Sequence, residues 1–265
     1  NQPLRRLGLE GRGGVEDLPL SPCKPPLPRR RRALRLVSVC CLCGAIVGGL
    51  AYAVLQMRRD GGPATHRLDR PINEVGWTPL MHAAQKGETQ LVGQLLRAGV
   101  NTNLAGKGGW TALMLGAFHG QDAAVQMLLE AGVDLEKRKD DEFSAVMLAA
   151  DRGHSRVLQM LLDAGADPNA RGVNGWSALM LACASGADSL VQMLLAAGAS
   201  TWVATENEGW TAVILSVQNG HNAVLARLLR AKASPDDASN DGVSPMMRAS
   251  AAGNADAVRM LLSAG

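Results

Sequence analysis

Aromatic residues are scarce in this chain: one Tyr, two Phe and five Trp in 265 residues, 3% of the sequence. A core without large rings must be filled by Leu, Val, Met and Ala, and its elements must approach closely to leave no voids. Cysteine is scarce as well. Four of the five lie near the start (Cys23, Cys40, Cys41 and Cys43), and Cys183 alone lies in the long remainder, which excludes an internal disulfide there. A body without disulfides is the usual state on the reducing side of a membrane, and the absence of an N-x-[ST] acceptor fits the same reading. Catalytic phrases are also missing. The sequence has no G-x-x-x-x-G-K-[ST], no G-x-S-x-G and no H-E-x-x-H. His66, His82, His119, His154 and His221 are scattered singly, and "GKGGW" at Gly106–Trp110 lacks the lysine–hydroxyl pair that holds phosphate. "DDE" at Asp140–Glu142 reads as a solvated loop run, with a cation site as the alternative, and Cys183 as a buried inert thiol. No catalytic residue, cofactor or metal is expected, and the chain is not read as an enzyme.

Charge is unevenly placed. Residues 1–72 carry 13 Lys/Arg and 5 Asp/Glu, whereas residues 73–265 carry 14 and 19. A net acidic body argues against nucleic acid as a partner, because neutralising phosphates needs clustered Lys and Arg.

Residues 1–35 are a Pro-, Gly- and Arg-rich basic tail without periodicity, expected to be disordered. Leu36–Leu55 follows, 20 residues without a charge, between Arg35 and Arg58. At about 1.5 Å per residue it matches the thickness of a bilayer core. It predicts a single transmembrane helix over residues 36–57 and a linker over 58–72. The alternative is a cleaved presequence directing the chain to an organelle, since Arg31-Arg32 precedes the apolar run and "AYA" at Ala51–Ala53 is a small-residue cleavage pattern. Gly44 and Gly48 have the spacing for a helix–helix contact. The flanking Lys/Arg, six before and four after, favour a cytoplasmic N-terminus. That would put the body on the far side, whereas the cysteine pattern favours the reducing side for it, so sidedness stays open.

From Asn73 the chain repeats itself. "GWTPLM" at Gly76–Met81 returns as "GWTALM", "EFSAVM", "GWSALM", "GWTAVI" and "GVSPMM", with Thr78, Thr111, Ser144, Ser177, Thr211 and Ser244 spaced 33, 33, 33, 34 and 33 apart. That period denotes a stacked array. Each unit starts with a hydroxyl residue placed to cap a helix of about two turns. Small residues such as Ala83 and Ala84 follow, then Gly87 or its equivalent as a left-handed stop. A second helix carries one apolar stripe, Leu91, Val92, Leu95 and Leu96 in the first unit. Neither helix can bury its face alone, so the units must stack.

"GWTPLMHAAQKG" and "MLLDAGADPNA" at Met160–Ala170 resemble the ankyrin repeat. The resemblance covers residues 73–265 as six units, 73–105, 106–138, 139–171, 172–205, 206–238 and an incomplete 239–265. It implies an all-α solenoid of antiparallel helix pairs with β-hairpin loops, and further repeats after the incomplete one. The family's T-P-L-H histidine is replaced by Met81, Met114, Met147, Met180, Ile214 and Met247. That histidine ties neighbouring hairpins, so packing is expected to take its place. Units five and six match least well: "ILSVQNG" lacks the Ala pair and "RAKASPD" the terminal Gly.

The resemblance further implies a protein partner, bound by hairpin tips and the concave surface of the first helices. The tip residues are Trp77, Trp110, Phe143, Trp176, Trp210 and Val243, and the helix-end pairs include Gln85 and Lys86, Phe118 and His119, Asp151 and Arg152, Ala184 and Ser185, Gln218 and Asn219. A row of Trp is either a hot-spot surface or inter-repeat packing. The expected role is a membrane-tethered scaffold. The alternatives are the regulatory region of a longer enzyme or channel, and a structural subunit of a membrane complex.

Overall fold

In the computed structural model residues 68–265 are described. Twelve α-helices occur among them: α1 Pro79–Lys86, α2 Thr89–Arg97, α3 Ala112–Phe118, α4 Asp122–Glu130, α5 Ala145–Arg152, α6 Ser155–Asp163, α7 Ala178–Ser185, α8 Asp188–Ala196, α9 Ala212–Gln218, α10 Asn222–Arg230, α11 Pro245–Ala251 and α12 Ala255–Ala264. The odd-numbered helices stack on one another in sequence, and so do the even-numbered ones, giving two layers of helices. None of the described helices is long and apolar enough to cross a membrane. Leu36–Leu55, with Gly44 and Gly48, lies outside the described residues.

The capping expected from the sequence is present. Thr78, Thr111, Ser177, Thr211 and Ser244 each accept a hydrogen bond from the backbone N–H three residues on. Ser144 is the exception; its hydroxyl is buried and makes no cap bond. Gly87 ends α1 at φ 69°, where an L side chain would be strained. The fifth unit has no glycine at the end of its second helix, and Lys232 adopts φ 61° there instead.

Small residues bring the first helices together. Ala83, Ala84, Ala149, Ala150, Ala182 and Cys183 are all 0% exposed. In the fifth unit Ser216 and Val217 stand in the place of the Ala pair and are equally buried. Ser216 satisfies its hydroxyl by donating to the Val213 carbonyl at 2.8 Å. The Met column is core from Met81 through Ile214. Met247, in the last unit, is 58% exposed.

The loops between units differ from the expected β-hairpins. Among the described residues there are only two isolated bridges, Arg171 with Ser177 and Ala204 with Thr211, and no strand. Each loop is a finger closed at its base by a backbone bond, such as Gly106 N–H to Trp110 O (2.8 Å) or Gly172 N–H to Trp176 O (2.8 Å), with a second inside the turn, such as Gly109 N–H to Gly106 O (3.1 Å) or Gly175 N–H to Gly172 O (3.0 Å). A turn this short has room for one paired position and no ladder of its own. The 34-residue interval is explained here: the fifth finger runs from Thr205 to Trp210, one residue longer than Gly172 to Trp176.

Packing and backbone bonds together tie the fingers: the Met147 methyl and the Phe143 ring lie against Gly172 of the next finger, and Trp77 against Gly106. Backbone bonds join each to the one before: Lys107 N–H to Val75 O, Asp140 to Gly108, Val173 to Asp141, Glu206 to Asn174 and Asn240 to Glu208, all 2.8–3.1 Å. This ladder joins the fingers without the family histidine. In the first unit the Met81 sulfur also accepts from the Thr78 N–H at 3.4 Å, a weak acceptor in the histidine's position.

Two further ladders cross the units. In one, a side chain accepts from a backbone N–H of the next unit: Asp69 from Asn101, Asn103 from Asp134, Glu136 from Asp167 and Asn169 from Ser200, 2.7–3.0 Å. Trp202 stands next in this column and has no oxygen to offer. In the other, the residue after the helix-ending glycine reaches back to the preceding unit: Gln121 to Gln85 O (3.1 Å), His154 to Phe118 O (3.1 Å) and His221 to Ala184 O (3.2 Å).

Candidate partner-binding face

The aromatic tip residues do not form one exposed row. Trp77, Phe143 and Trp176 are 8%, 5% and 1% exposed, whereas Trp110 and Trp210 are half-buried. Three of the five proposed anchors are therefore packing residues, a correction with a visible cause. For two of the three, a glycine at the base of the next finger gives the ring room; Trp176 is buried with Thr205 at that place. Gly106 lies under Trp77, where an added Cβ would stand 2.8 Å from the ring, and Gly172 lies under Phe143, where it would stand 3.1 Å away. At the equivalent place beside Trp110 the chain has Lys139, and its ammonium sits over the indole, 4.5 Å from the ring centroid.

That substitution assembles a continuous cluster. Lys139 also lies 5.8 Å from the Phe143 ring and bonds Asp141 at 2.7 Å. Trp110 meets Phe118 edge-on with centroids 5.3 Å apart, and Phe118 meets His119 edge-on at 5.1 Å. The Arg152 guanidinium covers Phe118 at 3.8 Å and pairs with Asp151 at 3.3 Å. Gln85 approaches the His119 ring at 3.4 Å. Six of the sequence-selected residues in the first three units are thus brought together or adjoin: Gln85, Trp110, Phe118, His119, Asp151 and Arg152. Lys86, in the same column, is exposed.

Burial pushes the Asp151 carboxyl above its ordinary range, against the opposing pull of Arg152 and Lys139. Cations over π faces and edge-on rings form a stiff surface with polar edges, the composition from which interface anchors are made.

A smaller copy of the arrangement lies in the last units. Arg248 stands 5.4 Å from the Trp210 ring, donates to Gln218 Oε1 at 3.0 Å and pairs with Asp241 at 3.5 Å. Asn219 turns its amide to the Leu215 carbonyl, 2.9 Å, at the end of its own helix. In the same column of the fourth unit Ala184 is buried and Ser185 exposed.

Sequence reading missed Lys139 and Arg248. Lys139 lies 29 positions from Trp110 and Arg248 38 positions from Trp210, and only stacking makes them neighbours. At the repeat position of Lys139 the chain has Gly106 after Trp77 and Gly172 after Phe143, so the lysine stands out only once the units are aligned.

Cys183 is fully buried and its thiol is pushed far up, as an inert core residue. Burial lowers His82, whose Nδ1 has no partner. No group of three or more His, Cys, Asp or Glu able to hold a metal lies among the described residues. In the Asp140–Glu142 loop, Asp141 is engaged by Lys139.

These features define a class: a solenoid of stacked helix pairs whose fingers and first-helix ends share one face. The family of ankyrin repeats (3 copies) matches residues 50–139, 133–205 and 198–265. The chain belongs to the ankyrin-repeat family, whose members are generally protein–protein interaction modules. No curated protein matches it. Among solved structures it is similar to an ankyrin repeat domain from Acinetobacter baumannii AYE, a crystal structure at 1.00 Å resolution. The two are 31% identical with a TM-score of 0.67, over 71% of this chain and 97% of the other.

Proposed function

We propose that this chain is a membrane-tethered interaction scaffold that binds a protein partner through the cluster of Trp110, Phe118, His119, Lys139, Asp151 and Arg152. The observation carrying this reading is the Trp110–Phe118 pair, held edge-on and flanked by Lys139 and Arg152 on a face of fingers and helix ends. Trp210, Gln218 and Arg248 extend the same face. The array itself acts by binding and carries no catalytic step. The tether is Leu36–Leu55, supported by its uncharged length and cationic flanks.

The test begins with proximity labelling from each side of the membrane, using the full chain, to obtain the partner. Binding is then compared for Trp110→Ala with Phe118→Ala and for Trp202→Ala, which lies away from the cluster in sequence and column. The double variant weakens binding by about 30-fold or more, with unchanged circular dichroism, and Trp202→Ala leaves it intact. Undiminished binding by the double variant rejects this face. Extraction of the full chain by alkaline carbonate rejects the tether.

A further inference from the structure

The glycine that ends each first helix shows what the fold places above it. A Cβ on Gly87 would lie 2.2 Å from Gln121 Oε1, on Gly120 2.5 Å from His154 Nδ1, and on Gly186 2.6 Å from His221 Cε1. At these three junctions a planar side chain from the next unit therefore lies against the glycine. The same side chain hydrogen-bonds the carbonyl two residues before that glycine, on Gln85, Phe118 or Ala184.

The junction between the third and fourth units lacks this piece. Ala187 occupies the position of Gln121, His154 and His221, and a Cβ on Gly153 would meet nothing within 4 Å. The Asp151 carbonyl, the counterpart of the three accepting carbonyls, receives no side chain from the next unit. Gly220 is open too. There, however, Asn254 is present and is engaged with Asn222 in a reciprocal amide pair, at 3.1 and 2.8 Å. At Gly153 the chain supplies no donor of its own.

We infer that the place above Gly153 is a socket for a planar N–H donor, an imidazole or carboxamide, presented by the partner protein and bonded to the Asp151 carbonyl. The chemistry is read from the three junctions that fill the equivalent place internally. The carbonyl is at the C-terminal end of α5, where the helix dipole favours a donor. The half-buried Asp151 carboxylate and Arg152, stacked on Phe118, place the socket at the border of the cluster described above. The inference rests on that face being the partner's docking site, and adds which side-chain chemistry it selects.

The experiment uses the full chain, isotopically labelled, titrated with imidazole and separately with acetate while backbone amide resonances are followed. Imidazole is expected to move the Gly153 and Ala187 amides saturably and to leave Gly120 and Gly186, already covered, in place; acetate moves neither. Ala187→His and Ala187→Gln supply the missing group internally. Each is expected to raise Tm by about 2–4 °C, the shift for one hydrogen bond in an array of this size, and to abolish the response at Gly153. No saturable shift at Gly153, an equal shift at Gly120 and Gly186, or an undiminished response in both variants overturns the inference. None of these outcomes depends on the Trp110→Ala with Phe118→Ala comparison, so the socket and the face can fail separately.

Discussion

His154 of the third unit crosses over Gly120 to the Phe118 carbonyl of the second, 3.1 Å away. The contact joins a residue that looks like scaffold to one in the proposed binding cluster, and the structure repeats it with His221 and the Ala184 carbonyl. Removing either imidazole leaves a carbonyl without its partner. His154→Ala and His221→Ala are each expected to lower stability by about 1 kcal/mol, read as a reduced urea midpoint with an unchanged slope. His154→Gln should recover most of the loss, because Gln121 performs the same task at the first junction.

Trp176 and Trp110 occupy the same repeat position and should behave differently. Trp176 is 1% exposed, so Trp176→Ala is expected to cost about 3–5 kcal/mol and to unfold part of the array. Trp110 is half-buried, and Trp110→Ala should cost less while weakening partner binding. Equal thermal shifts for the two variants would contradict the burial described here.

Three residues hold backbone conformations that glycine holds elsewhere, among them Asn174 at φ 56° in the place of Gly108. Glu142 has φ 64° where five other fingers have Gly76, Gly109, Gly175, Gly209 and Gly242, and Lys232 has φ 61°. A left-handed L residue costs about 1–2 kcal/mol. Glu142→Gly and Lys232→Gly are each expected to stabilise by about 1 kcal/mol, measured by chemical denaturation. A loss of stability would show that the side chain makes a compensating contact.

Trp202 interrupts the ladder in which Asp69, Asn103, Glu136 and Asn169 accept from the following unit, and its ring is 74% exposed. Trp202→Asn restores an acceptor for the Ser234 backbone N–H. The expected gain is about 0.5–1.5 kcal/mol, with slower amide exchange at Ser234 as its local signature.

Asp151 gives a pH dependence of defined sign. Its folded value lies above the ordinary 3.8, chiefly through burial. The folded protein therefore holds this proton to higher pH than the unfolded chain does, and stability falls as pH rises from 3.8 through the folded value. Asp151→Asn should exceed the parent in stability near pH 7, and the difference should shrink toward pH 4. Urea midpoints at the two pH values check this.

The sequence by itself determined the unit, its number and its caps. Thr78 and its equivalents, the Ala pairs and the helix-ending glycines act within a few residues, where helix geometry dictates what each spacing means. The Met column could be read as core for the same reason, since it recurs at a fixed place on one helix face. Tertiary structure decided what neighbouring units do to one another. At two fingers the burial of the ring follows the residue 29 positions later, a glycine that admits the ring of Trp77 or a lysine that lies over Trp110, whereas Trp176 is buried with Thr205 at that place. The backbone ladder between fingers, and the uncovered Gly153 opposite Ala187, are likewise set across junctions. Side chains there meet through stacking, and local propensity carries no information about them.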